Sequence, residues 1–260
     1  MTWTITKVAK KKLNKPVLIV GLPGIGNVGK VAVDYLIDKM SAEKLVEFFS
    51  YSFPHSVFVN EDNLVELPNI TLHVKKRGKG PDILFLAGDV QPTEEEASYQ
   101  FSEAVLNLME EYGCSEIITL GGIGLPAVPR EPKVYITGND KDLVAKHAKA
   151  SGAVNKLYGI VGPIIGASGL LLGMSKKRNI PAVCYLAETF GHPMYLGMRG
   201  SKAIVECLNK SLSLGVSITQ LDKEISEVEK ETQEGEMPKQ SKYRKLKDSM
   251  QQQSDITYIG

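Results

Sequence analysis

The sequence predicts an α/β layered fold, with a mainly parallel sheet flanked by helices. Three observations carry this prediction. Short apolar runs such as residues 17–20 and 82–87 show no polar alternation, as expected of strands buried on both faces. Segments with apolar residues at helical spacing alternate with those runs as far as about residue 215. Glycine-rich turns follow several of the runs, and in a parallel sheet such loops gather along one edge, where ligands bind.

In chain order, residues 3–8 alternate and predict an edge strand, and the lysines of 10–15 read as a solvated turn. The stretch 16–40 organises the rest. It reads PVLIV, then GLPGIGNVG, then KVAVDYLIDKM. The apolar run is a buried strand, and Gly21, Gly24, Gly26 and Gly29 permit a tight turn with close backbone approach. Val28, Ala32, Tyr35 and Leu36 then predict a helix to about Met40. The loop opens that helix, where free N–H groups favour anions.

Two nucleotide motifs nearly fit this loop. Gly24, Gly26 and Gly29 match a dinucleotide fingerprint, which also asks for an acidic residue about 20 positions on at a strand end. Glu47 is near that distance, but it lies inside the apolar run LVEFFSY. Gly24–Gly29 followed by Lys30 matches most of a phosphate-binding P-loop, yet Val31 stands where a magnesium-binding hydroxyl is needed. The alternative is a tight turn packed against a neighbouring loop or subunit.

Residues 45–53 predict a strand ended by Pro54, and 57–59, 64–66 and 70–74 predict small strands or hairpins. The run DILFLA at 82–87 is a buried strand. Thr93 with Glu96 has capping-box spacing for a helix that ends near Gly113. Further strands are predicted at 116–120, 133–137, 157–161 and 180–187. Helices are predicted from Asn139 or Asp140 through Lys149, from about Pro163 to Lys177, and over 201–214.

The sheet edge would gather residues 21–29, 89–92, 121–126 and 188–193. Asp89 and Glu188 are its acidic members. Two carboxylates beside one crevice serve as general acid and base, or else accept hydrogen bonds from the N–H groups that open a helix. The candidate ligand crevice is therefore Gly24, Gly26, Gly29, Asp89 and Glu188. The four histidines are scattered, none at metal-ligand spacing. Gly166-Ala-Ser168-Gly169 lacks the second glycine of a nucleophile elbow, since position 170 is leucine, so Ser168 reads as a small packing residue.

Composition narrows the function classes. The formal net charge of +1 gives no reason to expect nucleic acid or membrane attraction. Cys114, Cys184 and Cys207 form no metal pair, and an odd, dispersed set reads as reduced thiols in a cytosol. The N-terminal segment has no apolar core for a signal peptide. The expectation is a cytoplasmic protein. Ile218, Leu221, Ile225 and Val228 form an apolar stripe on a charged helix that must dock on its own domain or on another chain. Residues 239–254 are polar and Gln-rich, with the composition of disorder. The sequence then ends DITYIG, a small apolar cluster after a polar stretch. The domain reading is an α/β core over 1–215, an amphipathic helix over 216–237 and a flexible tail over 238–260.

The segments PVLIVGLPGIGNVGKVAVDYLI, DILFLAGDVQPT, GGIG at 121–124, GPIIGASGLLLG and AVCYLAETFGHP together resemble the proteasome assembly chaperone family, in its archaeal branch. They span about residues 15–215. The resemblance implies a core related to the nucleoside-phosphorylase-like fold, homo-oligomerisation, and non-enzymatic binding to α-subunits of the proteasome core particle, with no cofactor or metal. Several proteasome partners end in hydrophobic–Tyr–any residue, a tail that docks between α-subunits. On that resemblance Ile256, Tyr258, Ile259 and Gly260 are candidate partner-binding residues. Here the tyrosine is third from the end rather than penultimate, which displaces the carboxylate by up to roughly 3.5 Å of extended chain.

Overall fold

The computed structural model describes residues 3–60, 62–159, 162–193 and 195–233, with side chains as far as residue 226. Its core is an eight-stranded sheet. The strands are β1 (Trp3–Lys7), β2 (Val17–Gly21), β3 (Glu43–Ser50), β6 (Ile70–Lys75), β7 (Ile83–Gly88), β8 (Glu116–Leu125), β9 (Val134–Gly138) and β10 (Ala182–Phe190). The spatial order is β1-β3-β6-β7-β2-β8-β10-β9. A separate two-stranded hairpin pairs β4 (Phe58–Val59) with β5 (Val65–Glu66).

The expected mainly parallel sheet is corrected to a mixed one. The central strands β7, β2, β8 and β10 run parallel. Antiparallel strands flank them: β6, β3 and β1 on one side and β9 on the other. The reason lies in the connections. A short link returns the chain from β6 into β7, which makes that pair antiparallel. On the other side β10 enters between β8 and β9, so β9 is left at the edge, running against it.

The central strands β2 and β7 are buried on both faces, and successive residues of one strand divide between them. Val17 and Ile19 join one core with α1 (Val28–Met40), α3 (Lys141–Ser151), α5 (Met198–Leu212) and α6 (Thr219–Gln233). Leu18 and Val20 join the other with α2 (Glu95–Glu111) and α4 (Ala167–Met174). In α1 the buried Val28, Val31, Ala32, Tyr35 and Leu36 form a three- and four-residue stripe, and Ser41 in the left-handed region ends the helix. On α6, Leu221 is fully buried and Ile225 nearly so. Tyr35 Oη donates to the Ser217 carbonyl at 2.7 Å, and Lys202 pairs with Asp222 at 2.5 Å.

Several boundaries differ from expectation. β3 ends at Ser50, before Phe53. Residues 157–159 form no strand, because Gly159 has φ 82° and turns the chain, leaving Tyr158 fully exposed. β8 continues through the glycine cluster to Leu125, paired with β10. The residue that opens α2 is Glu94, so Thr93 and Glu96 are out of phase for a capping box. Asp140 does cap α3, accepting from the Leu143 N–H at 2.7 Å. α4 ends at Met174 and a 3₁₀ turn carries the chain to Arg178. Ile256, Tyr258, Ile259 and Gly260 lie outside the described residues.

Candidate functional site

The carboxyl ends of β2 and β8 lie side by side at the centre of the sheet, so the two glycine clusters meet. Between them and the entry to α4 is a cavity of about 480 Å³, lined mainly by apolar groups including Leu22, Ile25, Ile164 and Leu186. Gly24 and Gly29 line it, together with 121–124 and Ser168. Gly26, Asp89 and Glu188 are not among its lining residues.

The loop is shaped by contacts within the chain. A methyl group added at Gly29 would stand 2.6 Å from the Leu120 carbonyl oxygen, so only glycine lets α1 approach β8 this closely. Gly26 has φ 61°, and an added methyl there would meet Thr189 Oγ1 at 2.6 Å. The Gly26 carbonyl accepts from the Gly197 N–H at 2.8 Å, joining the loop to the start of α5. Asn27 Oδ1 accepts from the Gly24 N–H at 3.3 Å. Gly24 itself is exposed, with nothing within 4 Å of an added methyl.

Lys30, the residue at the P-loop lysine position, is buried on α1 and committed elsewhere. Its Nζ lies 3.1 Å from Asp34 Oδ2 and 3.8 Å from Asp89 Oδ1. Burial pushes the Asp34 carboxyl above the usual range, and the neighbouring Lys30 cation works against that shift. Asp89 Oδ2 also accepts from Asn69 Nδ2 at 2.7 Å. Glu188 sits near the end of β10 and serves β9. Its Oε2 accepts from the Lys133 N–H at 2.9 Å and its Oε1 from Tyr135 Oη at 3.2 Å. The two carboxylates thus belong to different polar clusters, each held by partners of its own.

Gln91 is a site residue that motif reasoning passed over. Its Nε2 donates to the Pro23 carbonyl at 2.7 Å, and its Oε1 accepts from the Ala167 N–H at 3.3 Å. It ties the glycine loop to the start of α4 across the cavity. Ser168 Oγ reaches the Leu120 carbonyl at 3.5 Å, an acceptor rather than a base. Burial pushes the thiols of Cys114, Cys184 and Cys207 up to about 11, which leaves them protonated and unreactive at neutral pH. Among the described residues no group of three or more His, Cys, Asp or Glu is arranged to hold a metal ion. No helix among them is long and apolar enough to cross a membrane.

Comparison with known proteins places this architecture. Among solved structures, Pyrococcus furiosus PbaB, described as an archaeal proteasome activator, superposes with a TM-score of 0.84 at 30% identity, over 90% of this chain and 99% of that one. Pyrococcus furiosus PbaA, described as an archaeal homolog of proteasome-assembly chaperone, shares the fold with a TM-score of 0.73 at 21% identity, over 96% of this chain and all of that one. An uncharacterized protein of Methanocaldococcus jannaschii is 30% identical over 100% of this chain and 99% of its own length. The PAC2 family profile matches residues 18–235. That match takes in the sheet from Leu18 of β2 onward, both glycine clusters and the six α-helices among the described residues, so the chain belongs to the PAC2 family.

Proposed function

We propose that this protein is a proteasome-binding factor of the assembly-chaperone type, which engages α-subunits of the core particle and acts without catalysing a reaction. The observation that carries this reading is the near-complete, 30% identical likeness to an archaeal proteasome activator. The geometry of the glycine loops supports it. Groups that could serve phosphate binding or acid–base chemistry are engaged in contacts within the chain: Gly29 with Leu120, Lys30 with Asp34 and Asp89, Glu188 with Lys133 and Tyr135.

Contact with the core particle is assigned to Ile256, Tyr258, Ile259 and Gly260, with residues 239–254 as the tether. Several copies in a homo-oligomer would present several tails, and avidity would then compensate for a weak individual tail. The test is binding of the full-length protein to assembled core particles, beside a version lacking 255–260. Tail-dependent binding supports the reading, and equal binding by both forms removes the tail from it.

The apolar cavity of about 480 Å³ supports a second reading, a small ligand held in the glycine crevice. Calorimetric titration with ATP and magnesium tests its nucleotide form, and tight magnesium-dependent binding would establish it.

A further inference from the structure

The loops that lead into β2 and β7 lie side by side, because these strands are neighbours in the sheet. Hydrogen bonds fix the two loops to each other. The Asn14 N–H donates to Asp82 Oδ2 at 2.9 Å, the Asp82 N–H donates to the Asn14 carbonyl at 3.1 Å, and Asn14 Nδ2 donates to the Gly80 carbonyl at 3.0 Å. The first loop carries Lys10, Lys11, Lys12 and Lys15. Lys75 ends β6, and Lys76, Arg77 and Lys79 follow in the second loop. Two basic runs that are distant in sequence thus form one patch. It sits at the amino ends of the parallel strands, at the opposite end of the sheet from the glycine cavity.

Little within the chain neutralises this patch. Asp82 is the only acidic residue in 8–16 and 74–82, and it is buried, with its oxygens accepting from the backbone N–H groups of Asn14 and Arg77. Lys11 Nζ lies 2.6 Å from Glu43 Oε2. Among the described residues, none of the other seven cations makes an ion pair. Arg77 donates to the carbonyls of Leu212 and Ser213, and Lys76 to the Lys12 carbonyl, each at 3.0 Å. Lys10, Lys12, Lys15 and Lys79 are exposed. Glu43 registers the local field: its carboxyl is held below the usual range, chiefly by the hydrogen bond and charge of Lys11 and further by Lys75. The loops owe their shape to Asn14 and Asp82, and the exposed lysines contribute only repulsion to it.

We propose that this patch is a docking surface for an acidic segment of a partner protein. The whole chain has a formal net charge of only +1, so the remainder of the molecule is net negative and the patch is a local feature. That arrangement suits a compact acidic segment, whereas a long polyanion would run off the patch onto surface of its own sign. Residues 8–16 and 74–82 contain no aromatic side chain or histidine on which bases could stack, which speaks against single-stranded nucleic acid. Lysine ammonium groups are point charges on flexible stems, so they attract carboxylates without a fixed geometry. Such a surface speeds encounter and selects partners by charge. It is a different surface from the tail assigned above, and the inference holds or fails independently of that assignment.

The test is fluorescence anisotropy of a short labelled poly-L-glutamate peptide titrated with the full-length protein, from about 50 to 200 mM sodium chloride. The wild type is compared with Lys10→Glu/Lys12→Glu/Lys79→Glu. A control, Lys141→Glu/Lys146→Glu/Lys149→Glu, makes the same change of net charge at exposed positions of α3. The wild type should bind the peptide, more weakly as salt rises. The patch variant should bind at least about tenfold more weakly, and the α3 variant should stay within about twofold of the wild type. Lys10, Lys12 and Lys79 make no side-chain hydrogen bond or ion pair among the described residues, so the patch variant should unfold at the wild-type temperature. If it fails to fold, Lys10→Ala/Lys12→Ala/Lys79→Ala decides. No binding by the wild type, undiminished binding by the patch variant, or equal loss in the patch and α3 variants overturns the inference. Tighter binding to a labelled DNA duplex than to the peptide assigns the patch to nucleic acid and overturns it as well.

Discussion

Replacing Gly29 by alanine separates the packing account of the glycine loop from a nucleotide account. Two effects oppose each other. Alanine is favoured over glycine inside a helix by about 1 kcal/mol. Against this, the new methyl would lie 2.6 Å from the Leu120 carbonyl oxygen and 3.0 Å from its carbon. Relief needs a shift of roughly half an ångström or more between a buried helix and a central strand, at the upper end of the 1–3 kcal/mol that overpacking costs. The clash wins, leaving a net loss of about 2 kcal/mol, or about 4–8 °C in Tm for a domain of this size. Two controls fix the sign. Gly173 on α4 is exposed with open space around it, so Gly173→Ala should gain about 0.5–1 kcal/mol. Gly24 has an extended backbone and open space, so Gly24→Ala should shift stability by less than about 0.5 kcal/mol. Urea unfolding of the three variants measures all of this. A Gly29→Ala protein at or above wild-type stability would refute the packing argument.

Further outcomes follow from single side chains. Lys30→Ala strands Asp34 and Asp89 without their cation and should cost about 1–3 kcal/mol at pH 7. Burial already raises the Asp34 pKa, so the deficit should shrink as the pH falls and that carboxyl takes up a proton, which urea unfolding at pH 4 and pH 7 would reveal. Asn139 holds the start of β10, accepting from the Ala182 N–H at 2.8 Å and donating to Ser175 Oγ at 2.9 Å and the Leu172 carbonyl at 3.1 Å. Its replacement by alanine should cost about 2–3 kcal/mol by the same assay. Burial pushes the Tyr185 phenol from 10.0 to about 12, with its Oη 2.9 Å from His147 Nδ1. Its contribution is full below pH 10 and is lost as the pH rises to about 12, worth roughly 2–3 kcal/mol. Tyr185→Phe should flatten that part of the stability–pH curve, while the buried thiols keep their own loss between pH 9 and 11.

The central layer was legible because its strands are buried on both faces. Continuous aliphatic runs such as VLIV and ILFLA leave little choice of element, and the helices between them show their stripes plainly. The glycine cluster of β8 was not legible as strand, because glycine is depleted in strands. Here the Ile25 carbonyl oxygen packs against Gly122, a close approach that a side chain would block. Strand direction was hidden because nothing local to β9 shows that β10 will enter between it and β8. In the site, Gly24 and Gly29 line the cavity, while Gly26 does not. The partners of Asp89 and Glu188 were not legible, since Lys30, Asn69, Lys133 and Tyr135 are brought to them only by tertiary packing. Gln91 gave no motif signal, because its role is to join two backbone segments that are distant in sequence.

The most direct test of proteasome engagement is peptide hydrolysis by assembled core particles, titrated with the full-length protein and with Tyr258→Ala. A buried aromatic anchor is worth about 2 kcal/mol or more, so the variant should bind about 30-fold more weakly while unfolding at the wild-type temperature. The account predicts binding by the full-length protein, read as a change in hydrolysis, and loss of that effect in the variant at equal concentration. No change in hydrolysis and no binding by the full-length protein would contradict it.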